Sequence, residues 1–316
     1  MRITNTSMIK NHMYDTQENL TRMSKINEQI NSSKMVNRVS DDPHKAIRIM
    51  NLNNEIRYTE KYNYNIDETV GWMNTTDGSL DHLGNMLGDI KDDILKVGNG
   101  VYSDEEFKAI QAEVNEKIKE IADVMNTTYG GKYMFGGTNV DEPPITMEDK
   151  NGVITLKINP NSNMGDLRAD ISDGINIDYN ISAGEIFNGK DNNGTSIDFL
   201  EEINNVSKLM DRIANGTDDE KSKAKKELLG TTKDNIDNLY NHSLDERTSL
   251  GVRVNTAEKV KGLNEENILN MKGVLSLDQD VNQVEKFIEL KSAELVYQAS
   301  IKVGTTLMQP TILDYL

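Results

Sequence analysis

The sequence predicts a mainly α protein: an elongated antiparallel helical coiled-coil rod formed by N- and C-terminal segments, with a β-hairpin and a small β-rich central insertion. Three observations carry this. The five prolines, Pro43, Pro143, Pro144, Pro160 and Pro310, leave two long stretches free of helix breakers. Apolar residues in those stretches recur three and four apart, the helical period. Aromatics are 5% and apolar residues 36% of the 316 residues, too few for large compact cores.

Taken in order, Ile49, Leu52, Ile56, Thr59, Asn63, Ile66, Val70 and Met73 form the seam of a left-handed coiled coil. Leu80, Leu83, Leu87, Ile90, Ile94 and Val97 resume it after a one-residue phase slip. The helix should open at "SDDPHKA", with Asp42 as N-cap and Pro43 where a missing N–H is harmless. "VGNGVYSDEEF" reads as a turn followed by a capping box, Ser103 with Glu106. A return helix then runs through Phe107, Ile110, Val114, Ile118, Ile121 and Met125, making an antiparallel hairpin. From about Val140 to Gly194, Gly, Asn, Asp and Pro punctuate short β-rich runs such as "GVITLKI" and "INIDYNIS".

Helical signal returns at Ser196 and continues, with a break near "ANGTDD". Ile236, Leu239, Leu250, Ala257, Val260, Met271, Val274, Val281 and Ile288 share one heptad register. Ser243, Asn264 and Asp278 dilute that seam, so further packing elements are expected on it. Gly251, Gly262 and Gly273 recur every eleven residues, on nearly one helix face. They are read either as scattered glycines or as points where a neighbouring helix backbone comes close.

The chemistry of sites is mostly excluded. A net charge of −17 and pI near 4.7 argue against nucleic acid, which needs clustered Lys and Arg. No cysteine is present, which removes disulfides, thiolate metal sites and a cysteine nucleophile. "MRITNTSMIKNHMYD" has no apolar run before a small-residue cleavage site, and no stretch reaches ~18 consecutive apolar residues. "YGGKYMFGGT" has its lysine in the wrong place for a phosphate loop and no helix after it, so it reads as a hairpin. Its glycines Gly130, Gly131, Gly136 and Gly137 would make the turns around Tyr133, Met134 and Phe135. His12, His44, His82 and His242 lack metal-ligand spacing and are expected on solvated helix faces. "DNNGTSID" at Asp191 is two residues too short for a calcium loop. No catalytic constellation, cofactor site or metal site is expected.

Five tracts, in order, carry a family resemblance: "MRITNTSMI", "QINSSKMVNRVSDDPHKAIRIM", "NIDETVGWMNTTDGSLD", "TTYGGKYMFGGT" and "QASIKVGTTLMQPTILDYL". They resemble the flagellin superfamily, and within it the hook-associated proteins of the hook–filament junction. The resemblance covers about 1–144 and 196–316. It implies a rod-domain hairpin near 129–138, export through the flagellar type III channel, and a structural adaptor role at the flagellum outside the cell. It further implies an inner domain from 1–41 with 275–316, a rod from 42–140 with 195–274, and a variable outer domain at 141–194.

Along the first inner segment Met13, Leu20, Met23 and Ile30 share a seam with polar Thr16 and Asn27. The last offers Val281, Val284, Ile288 and Leu295, then Leu307, Ile312 and Leu313. Such diluted stripes are expected to be disordered in the monomer and to order against copies of themselves. The partners the family implies are further copies of the chain, the other junction protein, flagellin on the filament side, and an export chaperone on the C-terminal helix. Flagellin itself is the rival reading. From other classes, a ligand-binding or enzymatic graft at 145–194 lacks clustered catalytic residues. A coiled-coil signalling protein lacks its membrane segment.

Overall fold

A computed structural model describes residues 5–99, 102–162, 164–190 and 196–307. It is mainly helical, with long helices and small antiparallel strand pairs, as predicted. The chain divides into two compact units, 1–60 with 266–316 and 61–265.

In the first unit, α1 (Asn5–Ser32) packs on α8 (Gln283–Leu307). The first turns of α2 (Pro43–Asn99) and the end of α7 (Lys233–Gln279) also belong to this unit. Asp42 Oδ1 accepts from the Lys45 amide at 3.1 Å, so α2 opens at the expected cap. Asp41, one residue earlier, accepts from the amides of Asn37 and Arg38 and pairs with Lys25 at 3.1 Å. The Lys25 hydrogen bond, helped by the Arg38 amide, holds its carboxyl below the usual range. α1 stops at Ser33, whose φ of 56° is left-handed.

The single register expected from Ile236 to Ile288 does not survive here. The Met35 amide donates to Gln279 O at 2.7 Å, and the Val281 amide to Ser33 O at 3.2 Å. This two-bond bridge between Lys34 and Asp280 draws the backbone out of helix, so α7 ends and α8 starts afresh at Gln283. Asp278, one of the diluting seam residues, pairs with Arg48 at 3.0 Å.

The second unit holds the larger core. From α2, Ile66, Met73, Leu80, Leu83, Leu87, Ile90, Ile94 and Val97 are all buried, so the seam continues through its phase slip. α3 (Asp104–Met125) returns antiparallel, opened by the expected capping box of Ser103 and Glu106, and buries Val114, Ile118, Ile121 and Met125. α7 runs antiparallel to α2, and ion pairs mark the register: Lys91 to Asp237, Arg247 to Asp77 and Asp81, Lys261 to Asp67. Ile236, Leu239, Leu250 and Ala257 of α7 are buried.

The polar seam positions Ser243 and Asn264 are satisfied. Ser243 Oγ donates to Tyr240 O, and Asn264 Nδ2 donates to Asn63 Oδ1 and to Ile171 O at 2.9 Å. Ile171 lies in β5 (Arg168–Ser172), which pairs with β6 (Ile175–Asp178). The extra packing that the diluted seam called for is therefore supplied in part by a strand pair. No atom among the described residues lies within 4 Å of where a Cβ would sit at Gly251, Gly262 or Gly273. The close helix approach expected there is not made by any other described element.

Strands form both the predicted hairpin near 129–138 and the predicted insertion. β1 (Thr128–Tyr129) pairs with β2 (Lys132–Tyr133), and β3 (Ile145–Lys150) pairs with β4 (Val153–Ile158). In this second hairpin the Glu148 carboxyl, held by Lys157 and Lys150, is lowered to about 2. A short helix, α4 (Ala183–Phe187), precedes β7 (Asn188–Lys190), which pairs with β8 (Ser196–Asp198). Helix was expected from Ser196; instead 196–198 is strand, and α5 (Phe199–Asn215) begins after Asp198. Asp198 Oδ1 accepts from the amides of Leu200 and Glu201 and so caps α5. The expected break at "ANGTDD" separates α5 from α6 (Asp218–Glu227), and a π-helical turn at Leu228–Thr232 leads into α7.

The free edge of β4 needs partners, and α5 provides them. Asn204 accepts from the Leu156 amide at 2.6 Å and donates to Leu156 O at 2.9 Å, imitating a neighbouring strand. Ser207 Oγ accepts from the Ile154 amide at 2.9 Å and donates to Asn115 of α3. Asn204→Ala would leave two buried backbone groups unpaired, which is expected to destabilise by about 2 kcal/mol. A thermal melt should show Tm lowered by roughly 4–8 °C; an unchanged Tm would mean water replaces the side chain.

Candidate assembly surface

α1 and α8 meet along an unusual seam. Towards α8, α1 turns His12, Thr16, Met23, Ile26 and Ile30, which are half-buried or buried. From α8 come Leu290, Ala293, Tyr297, Ser300 and Gly304. Thr16 and Ser300 share a hydrogen bond at 2.9 Å, and the His12 ring fills the space a Cβ would need at Gly304. Small and polar groups thus hold much of the inside of this pair.

Bulky apolar groups stand outside it. Met13 is 60% exposed, Val284 71%, Ile288 65% and Leu295 66%, and Tyr14, Leu20 and Phe287 are also exposed. Met23, Ile30 and Val281 are half-buried. Each large side chain left in water forgoes about 1.5–3 kcal/mol that burial would contribute. A helix pair with this many large apolar side chains outward carries an exposed apolar stripe. Of the other residues expected in this surface, the Leu307 side chain, Ile312 and Leu313 lie outside the described residues.

The glycine tract is a hairpin. Gly130 and Gly131 take φ of 58° and 81°, the left-handed pair that a two-residue turn demands. Tyr133 donates its amide to Val140 O, and Met134 to Thr127 O, so these groups are occupied within the chain. Phe135 is fully buried, and its carbonyl accepts from the Ala183 amide. Gly136 has no room for a Cβ against Asn139 O, while Gly137, at φ 69°, reverses the chain.

Among the described residues no group of three or more His, Cys, Asp or Glu could hold a metal. Asp191 lies outside them. His44 and His82 are exposed as expected, but His242 is not a solvated histidine. Its Nε2 lies 3.0 Å from Glu185 O, with its ring beside Phe199. Sequence pattern does not show this contact, because α4 lies within a segment otherwise rich in strand signals. Its signal was present in "SAGE", where Ser182 and Glu185 form a capping box. No described helix is long and apolar enough to cross a membrane.

Residues 3–140 match the bacterial flagellin N-terminal helical region. The flagellar filament 41 kDa core protein of Borreliella burgdorferi is 28% identical over 142 residues, 45% of this chain and 42% of that protein. The match therefore spans less than half the length of this relative. Two solved structures from Legionella pneumophila share the fold. Flagellar hook-associated protein 3 has a TM-score of 0.62, with 72% of this chain and 98% of that one covered at 13% identity. The flagellar junction protein FlgL scores 0.58, with 73% and 99% covered, also at 13% identity. At such identity the likeness is one of fold.

If the outward apolar stripe of α8 is the assembly surface, Val284→Asp with Leu295→Asp should leave the monomer's Tm within about 2 °C, as exposed substitutions do. Concentration-dependent association in sedimentation velocity should disappear. Association as strong as that of the unchanged chain would place the contact elsewhere.

Proposed function

We propose that this chain is a structural adaptor of the bacterial flagellum, joining hook to filament as a helical ring of copies. One observation favours the junction over the filament. The solved hook-associated and junction chains share this fold along 98–99% of their length. In this reading the terminal segments 1–41 and 275–316 form an inner domain that orders on assembly. The segments 42–140 and 195–274 are the rod, and 141–194 faces outward.

Copies make head-to-tail contacts, with one end mated to the other junction protein and the other to flagellin. The work is done by surface complementarity and not by catalysis. Export through the flagellar type III channel delivers the chain outside the cell, and a cytoplasmic chaperone covers the C-terminal helix beforehand, in the manner of a helix in a groove. The exposed Val284, Ile288 and Leu295 support that last step, since an uncovered apolar stripe invites premature association.

The second reading, a filament subunit, is favoured by the flagellin match over 3–140. Deletion of the gene separates the two. The adaptor reading expects hooks without filaments by electron microscopy and flagellin lost to the medium. Normal hooks with no flagellin attached or secreted would make this chain the filament subunit.

A further inference from the structure

The 61–265 unit contains an aromatic cluster that assembly through α1 and α8 does not use. Trp72 of α2 stands at 66° to Tyr129 of β1, with ring centroids 5.8 Å apart. It stands at 85° to Tyr179, just after β6, at 5.6 Å. The three rings wall a partly open cavity of about 290 Å³, whose lining also includes Glu68, Lys132 and Leu167. That volume lies at the lower edge of small-molecule sites and suits a single side chain.

The arrangement is built. Tyr129 can lie over α2 because residue 71 is glycine; a Cβ there would strike its hydroxyl. Trp72 is only 6% exposed, and its indole Nε1 is closed to solvent without a hydrogen-bond partner. What it offers the cavity is therefore carbon and π electrons. Aromatic faces are electron-rich, and several rings turned at steep angles around one space attract a cation more than a neutral group. Glu68, exposed at the rim, adds a carboxylate. Lys132, exposed at the same rim, opposes an incoming cation. The net charge of −17 draws cations towards the chain as a whole.

We propose that this cavity is a socket for the alkyl cation of a lysine or arginine side chain presented by a neighbouring protein chain. The site lies within one unit and stands whether the chain serves at the junction or in the filament. Trp72 is the chain's sole tryptophan, so its fluorescence reports on the cavity directly. The full chain is titrated at constant ionic strength with butylguanidinium and, separately, with 1-pentanol, a neutral molecule of similar size.

A saturable change in emission is expected with the cation and not with the alcohol. Tyr179→Leu, which keeps an apolar wall but removes its π face, should weaken binding roughly fivefold or more. Glu68→Gln should weaken it and Lys132→Ala strengthen it, each by roughly two- to fivefold. A blocked tripeptide with central arginine should bind at least as tightly as butylguanidinium. No saturable response to the cation, or an equal response to 1-pentanol, would overturn the cation site. Exclusion of the peptide while butylguanidinium binds would overturn its assignment to a protein side chain.

Discussion

The structure depends on distant parts of the chain pairing antiparallel. Thr16 meets Ser300, and Arg247 reaches back to Asp77 and Asp81. These contacts close very long loops, and closure entropy must be met before any of them stabilises anything. The ion pairs of α7 with α2 are partly exposed and individually weak. Their value is in register. They fix which turn of α7 faces which turn of α2, so that Ile236, Leu239, Leu250 and Ala257 arrive in the core together.

The two units meet this demand differently. In 61–265 the cost of polar groups in the core is offset by direct hydrogen bonds. Asn204 and Ser207 complete the edge of β4, and Asn264 ties its own helix to Asn63 and to β5. Buried polar groups satisfied in this way specify one arrangement, because any slip leaves them unpaired. The other unit has little of this. Ile26, Ile56, Ile268 and Ala293 are its buried apolar side chains among the described residues, and many of its other large apolar groups face outward. Its fold is thinly supported from within, and its surface calls for a partner. Small and polar residues between α1 and α8, at His12, Thr16, Ser300 and Gly304, contribute to both.

Much of this was legible in the sequence. The α2 seam, the capping box at Ser103 and the glycine turn were readable because each rests on local rules that tertiary packing had no reason to override. Non-local effects were not readable. The restart at Gln283 follows from a backbone bridge to Ser33 and Met35, some 250 residues away, which periodicity within α7 and α8 cannot reveal. The partial burial of His242 follows from a short helix hidden in a strand-rich segment. The resemblance to hook-associated proteins supplied the functional reading, which composition and periodicity alone would have left at a long helical protein without an active site. The aromatic cavity escaped because Trp72, Tyr129 and Tyr179 lie far apart in sequence and carry no motif.

On the proposed reading, the outward faces of α1 and α8 are covered in the assembly by other copies of the chain. Amide hydrogen exchange, compared between dilute monomer and assembled particles, tests this most directly. The account predicts rapid exchange near Leu20 and Val284 in the monomer, strong protection of both in the assembly, and protection of α3 in either state. Protection near Leu20 and Val284 in dilute monomer as strong as that of α3 would contradict it, since the helix pair would then need no partner.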